Sequence, residues 1–115
     1  MLMRVAQAAK PPIKVGRCSN TFVSQVGTRL VDEKGKPAPA SGTSIQFTNG
    51  IYLVSYDTVR DAEAAKPGHK VKMCLDSLPQ NCPPGDNRGK IYTVVNYITG
   101  GSFTLPDSQH FCGGA

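Results

Sequence analysis

Ser44-Ile45-Gln46-Phe47-Thr48-Asn49-Gly50-Ile51-Tyr52-Leu53-Val54-Ser55-Tyr56 reads as a β-hairpin, and its reading decides the fold. Asn49-Gly50 tolerates the positive φ of a type I′ turn, whose twist suits two paired strands. The flanking runs are rich in β-branched and aromatic residues. Two strands alone are marginal in water, so the rest of the chain must supply sheet partners.

Outward from the hairpin, those partners can be read. Upstream, Arg17 to Leu30 is strand-like, with Phe22, Ser24 and Val26 alternating against Thr21, Val23 and Gln25. Asp32 to Gly42 is loop by composition. Downstream, Asp57 is placed to cap a short helix over Thr58–Lys66, which Pro67-Gly68 stops. Gly68 to Leu75 alternates again, with Val71, Met73 and Leu75 inward and Lys70 and Lys72 outward. Residues 76–89 form an aperiodic loop. Lys90–Tyr97 and Ser102–Leu105 then make a second hairpin around Thr99-Gly100-Gly101, and Pro106 ends it. The sum is a mainly β (α+β) fold of about six short strands and one short helix. It is expected as a small oligonucleotide/oligosaccharide-binding-type (OB-like) barrel or as a curled antiparallel sheet with the helix on one face.

The chain has 115 residues, enough for one core: a tail over residues 1–16 and a single domain over 17–115. Leu, Ile, Val and Phe stay just above the roughly one-fifth level that a packed core requires. No apolar run is long enough for a membrane-spanning helix. The net charge is +5. Residues 1–36 hold seven bases against Asp32 and Glu33, whereas residues 37–115 carry six of each sign. The basicity thus belongs to the tail and first loop, which disfavours a nucleic-acid surface. Lys70, Lys72, Arg88 and Lys90 with Tyr92 and Tyr97 are the nearest approach to one, and they read better as a solvated strand face.

Cys18, Cys74, Cys82 and Cys112 form an even set in a short chain, which predicts two disulfides and an oxidising compartment. Zinc binding wants a close cysteine pair that the spacing lacks, so neither metal nor cofactor is expected. The preferred pairing is Cys74–Cys82, to tether the 76–89 loop, with Cys18–Cys112 closing the domain. Ala6-Gln7-Ala8 ahead of Lys10-Pro11-Pro12 looks like the junction of a secretory signal and a mature chain. Residues 1–16 read as a disordered or draped tail.

Val54-Ser-Tyr-Asp-Thr-Val59, Cys82-Pro-Pro-Gly-Asp86 with Arg88-Gly89, and Asp107-Ser-Gln-His110 with Cys112-Gly-Gly-Ala115 are distinctive motifs. In them the chain resembles a group of small, exported, uncharacterised proteobacterial proteins. The resemblance covers Cys18 to the end and implies an exported, disulfide-bonded domain with no assigned chemistry. Ser41-Gly-Thr-Ser-Ile-Gln-Phe47 also loosely resembles a strand of bacterial periplasmic lysozyme inhibitors, with Phe47 in place of the aromatic hydroxyl.

No strong catalytic signature is present. Asp107, Ser108 and His110 hold an acid, a nucleophile and a base, the raw material of an envelope hydrolase. Adjacent turn residues rarely reach triad geometry, and a capped turn is the simpler reading. His69, after Pro67-Gly68, reads as a solvated turn residue. The expectation is therefore a non-enzymatic, monomeric periplasmic or secreted binding domain whose partner is a protein or envelope component. Asp86, Arg88, Asp107 and His110 are its candidate binding residues. The alternatives are the hydrolase, a single-strand nucleic-acid binder and a lysozyme-inhibitor-like protein.

Overall fold

The computed structural model describes residues 10–114. The Ala6-Gln7-Ala8 triplet and residues 1–9 of the expected tail lie outside the described residues. The elements are β1 (Cys18–Thr28), β2 (Thr43–Phe47), β3 (Tyr52–Ser55), α1 (Arg60–Glu63), β4 (Lys70–Ser77), β5 (Ile91–Asn96) and β6 (Ser102–Pro106). They form one antiparallel sheet in the order β3-β2-β1-β4-β5-β6. The edge strands β3 and β6 touch although no ladder joins them among the described residues, so the sheet is a curled half-barrel with a seam between these two edges. Of the two architectures expected, this is the curled sheet.

β1 holds the two halves together. Its first half, Cys18 to Phe22, pairs with β4, and its second half, Val23 to Thr28, pairs with β2. The register slips between Val23 and Gln25, and such a bulge bends a strand enough to serve both sides of a curved sheet. Inward residues of every strand meet in one core that includes Val23, Ile45, Leu53, Met73, Tyr92 and Leu105. Each large side chain there contributes about 1.5–3 kcal/mol of burial. α1 lies against β1, β2 and β6 and buries Ala62, and Ala65 just beyond it is buried too.

The hairpin stands at its expected place, but its turn differs. Gly50 has φ +91° whereas Asn49 does not enter the positive region. Gly50 N–H donates to Phe47 C=O, Phe47 N–H donates to Ile51 C=O, and Asn49 Oδ1 accepts from Ile51 N–H. This is a three-residue loop closed by a left-handed glycine, not a type I′ turn. The local Asn49 bond competes with the two-residue loop and wins.

The helix is a single turn, shorter than Thr58–Lys66, and Asp57 does not cap it. Val59 occupies the N-cap position without a side-chain cap bond. The role passes to Thr43 of β2, fully buried, whose hydroxyl accepts from Val59 N–H at 2.9 Å and donates to Glu63 Oε2 at 2.7 Å. A tertiary contact has replaced a local one.

The disulfides join Cys18 to Cys74 and Cys82 to Cys112, which corrects the expected pairing of Cys74–Cys82 and Cys18–Cys112. The reason lies in strand parity. With Val71, Met73 and Leu75 inward, Cys74 faces out, and the β1–β4 register sets Cys18 directly opposite it. β4 also runs on to Ser77, which shortens the loop. Cys82 is left to reach the C-terminal segment. Residues 10–16 lie draped on the domain: Pro12 is buried, and Gly16 N–H donates to Leu75 C=O at 2.9 Å.

Candidate functional site at the half-barrel seam

The C-terminal segment after β6 is fastened to the 78–90 loop, and the nominated residues do the fastening. Asp107 Oδ1 accepts from Gly89 N–H at 2.8 Å and Lys90 N–H at 3.1 Å. The two oxygens of Asp86 face the Arg88 guanidinium, with Nε donating at 2.9 Å and Nη2 at 3.0 Å. Asp86 Oδ2 also accepts from Gly113 N–H at 2.9 Å, and Arg88 Nη2 donates to Gly114 C=O at 3.2 Å. Cys112 N–H donates to Arg88 C=O, and the Cys82–Cys112 bridge completes the clasp. The Arg88 hydrogen bonds, then the Gly113 amide, hold the Asp86 carboxyl well below the usual carboxylate range. Asp86 in turn raises the Arg88 guanidinium.

Thus Asp86, Arg88 and Asp107 do come together, but they spend their polar atoms on one another and on backbone amides. His110 is exposed, and its ring makes no hydrogen bond among the described residues. Ser108 Oγ accepts from the backbone N–H of His110 at 3.3 Å. Asp107, Ser108 and His110 are therefore arranged as a capped turn, with no bond from the hydroxyl to an imidazole.

What the clasp builds is one wall of a cleft of about 210 Å³. Pro106, Ser108, Gln109 and Phe111 form that wall, the end of β3 and the two residues after it, Val54 to Asp57, form the other, and Arg29 of the β1–β2 connection lies between. Arg29 Nη1 donates to Gln109 Oε1 at 2.9 Å and Nε donates to Ser41 C=O at 2.6 Å. Its guanidinium sits 4.3 Å from the centre of the Tyr56 ring, within cation–π range. Tyr56 Oη donates to Gln109 C=O at 3.3 Å, so the seam is laced by side chains where backbone pairing is absent. Tyr56 and Phe111 are both more than half exposed, at 54% and 58%, which leaves two aromatic faces at the cleft.

Two glycines shape these walls. Gly42 has φ +116°, and a Cβ there would stand 2.1 Å from Ser55 C=O. Gly89 has φ +110°, and a Cβ would stand 2.5 Å from the Phe111 ring, which lies over its backbone. Only glycine permits both approaches.

Arg29, Tyr56, Gln109 and Phe111 do not stand out in the sequence as site residues. They come from three segments far apart in the chain, and only curling of the sheet unites them. Gln109 within Asp107-Ser-Gln-His110 and Tyr56 within Val54-Ser-Tyr-Asp-Thr-Val59 were the available signals, both inside distinctive motifs.

The basic strand candidates separate. Lys70 and Lys72 lie on the outer face of β4, where Lys70 Nζ is 5.9 Å from the Tyr97 ring centre. Tyr97 Oη donates to Asn20 Oδ1 at 2.9 Å. Arg88 is bound to Asp86, and Tyr92 is buried in the core rather than offered for stacking. Burial, then the negative charge of Asp107, raises the Tyr92 phenol. Phe47 of the inhibitor-like strand also faces the core. His69, expected in solvent, is half-buried: its Nδ1 accepts from Lys66 N–H at 3.2 Å and lies 3.1 Å from Asn96 Nδ2.

All four cysteines are consumed in disulfides. No helix among the described residues is long and apolar enough to cross a membrane. Compared with protein-family models, with curated proteins and with solved structures, the chain matches none.

Proposed function

We propose that this chain is an exported binding domain, periplasmic or secreted, that works as a monomer without enzymatic chemistry and holds a protein or envelope component at the seam cleft. The observation that carries the reading is the Cys82–Cys112 clasp. A covalent bond, an ion pair and three backbone amides fix a segment that contributes no buried apolar side chain to the core. Such effort is unnecessary for folding, and it positions one wall of the cleft. Two exposed aromatic rings beside a cation and amide groups are typical of interface anchors.

A photo-crosslinking residue placed at Phe111, or at Tyr56, in cells producing the protein tests this reading. Lys34, exposed in the turn between β1 and β2, serves as the control position. A discrete adduct at 111 and 56 and none at 34 is the expected result. Equal labelling at all three positions, or none at any, would overturn the assignment of the cleft.

A further inference from the structure

Hydrogen bonds at the seam cleft engage the acceptors of its walls and leave donors over. Gln109 Oε1 accepts from Arg29 Nη1 at 2.9 Å, and Gln109 C=O accepts from Tyr56 Oη at 3.3 Å. Ser108 Oγ accepts from His110 N–H at 3.3 Å, and Ser55 Oγ accepts from Asp57 N–H at 3.0 Å. Among the described residues nothing accepts from Gln109 Nε2, from the Ser108 and Ser55 hydroxyls, or from Arg29 Nη2, and all four residues line the cleft. Arg29 is half-buried and has no carboxylate partner, since the one ion pair among the described residues joins Arg88 to Asp86. Its guanidinium is held in place by Ser41 C=O, 2.6 Å from Nε, and by the Tyr56 ring at 4.3 Å. A cation fixed in this way can receive a carboxylate through Nη2 with little further ordering.

We propose that the occupant of the cleft is the C-terminal residue of a partner polypeptide, its carboxylate on Arg29 Nη2 and Gln109 Nε2 and its apolar side chain against Tyr56 and Phe111. This rests on the cleft being the binding site, as proposed above, and narrows the partner to a protein. At about 210 Å³ the cleft is smaller than the roughly 300–1,000 Å³ usual for small-molecule pockets, which suits a chain end better than a chain passing through. Asp57 is the one acid among its lining residues. Its negative charge disfavours a dianion such as a phosphate ester, whereas a single carboxylate can be matched by Arg29.

Two peptides that differ only in their last group provide the test: N-acetylated Ala-Ala-Ala-Phe with a free carboxylate, and the same sequence as its C-terminal amide. Each is titrated into the full chain while amide NMR shifts are recorded. The free acid is expected to bind saturably at about millimolar concentration or below, at least about tenfold more tightly than the amide. Shifts should centre on the Gln109 side-chain amide and on Phe111. Arg29→Gln should erase the preference for the acid. Because Arg29 also laces the seam, Arg29→Lys is measured beside it; this variant keeps the charge, loses the planar fork and should bind the acid severalfold more weakly. Equal affinity for acid and amide, acid affinity unchanged in both variants, or absence of saturable shifts at the cleft would each overturn the proposal. So would an amidated peptide with an internal Asp that binds as tightly as the free acid. Crosslinking adducts at positions 111 and 56 that persist after any of these results would leave the cleft as a binding site, and their absence would remove that reading as well.

Discussion

Removing the two disulfides one at a time should have unequal effects, although chain entropy alone ranks them close together. A bridge closing a loop with a sequence separation of 56, as Cys18–Cys74 does, restricts the unfolded chain by about 4.2 kcal/mol. A separation of 30, as in Cys82–Cys112, gives about 3.6 kcal/mol. The folded states respond differently. Cys18–Cys74 spans the β1–β4 ladder, the junction between the two three-stranded halves, and its loss cannot be relieved without opening the core. Cys82–Cys112 fastens segments that carry no buried apolar side chain, since the core skips from Leu75 to Tyr92 and ends at Leu105. Without it the clasp can detach while the half-barrel persists, and that extra freedom stabilises the native ensemble of the variant. Cys18→Ser with Cys74→Ser should therefore lose close to the full 4 kcal/mol or so, a large share of the stability of a small domain. Cys82→Ser with Cys112→Ser should lose clearly less than about 3.6 kcal/mol in global unfolding. Urea denaturation followed by circular dichroism measures both, and hydrogen exchange locates the difference. Amides of Gly89, Lys90, Cys112 and Gly113 should exchange locally in the second variant while β-sheet amides stay protected. Equal losses with uniform exchange would refute the division into core ladder and peripheral clasp.

Other expectations follow from single contacts. Gly42→Ala combines a left-handed φ with a Cβ driven into Ser55 C=O and should cost about 3 kcal/mol, whereas Gly50→Ala, in open space, should cost about 1 kcal/mol; chemical denaturation of both checks the contrast. Thr43→Val removes the hydroxyl that satisfies Val59 N–H and holds Glu63, and should lower stability by about 1–2 kcal/mol while uncovering α1 to exchange. Because the Asp86 pKa is depressed in the folded state, its clasp contributes fully above the ordinary aspartate value near 4 and is lost only as pH falls further, towards the folded value. The Gly113 amide shift should accordingly hold steady through pH 4 and move only in stronger acid, and Asp86→Asn should abolish that transition; a midpoint near 4 would contradict the assignment.

The elements were legible because their signals are local. Val71, Met73 and Leu75 announce a strand by parity, and Asn49-Gly50 announces a reversal, whatever the rest of the chain does. The sequence suggests too long a helix because Asp57 and Pro67-Gly68 look like punctuation. The cap came instead from Thr43, sixteen positions from the amide that it serves. The disulfide pairing escapes local reading for a similar reason. Loop tethering favours the nearest cysteine, whereas the partner of Cys74 is set by which strand adjoins β4, a property of the whole sheet. At the site, Asp86, Arg88 and Asp107 stood out because polar residues among prolines and glycines are conspicuous, and they do converge. Their convergence makes a clasp, while the cleft beside it is made of Arg29, Tyr56, Gln109 and Phe111, each unremarkable in its own segment.

Disulfide mapping of the unreduced protein, taken from its native compartment, reaches the centre of this account. Cleavage after Lys72 and Arg88 leaves Cys74 and Cys82 in one peptide, so a further cut before Asp76 is needed to separate them. The account predicts one linked pair holding Cys18 with Cys74 and another holding Cys82 with Cys112, with no free thiol. A Cys74–Cys82 link, or four alkylatable thiols, would contradict both the clasp that builds the cleft and the exported location inferred from it.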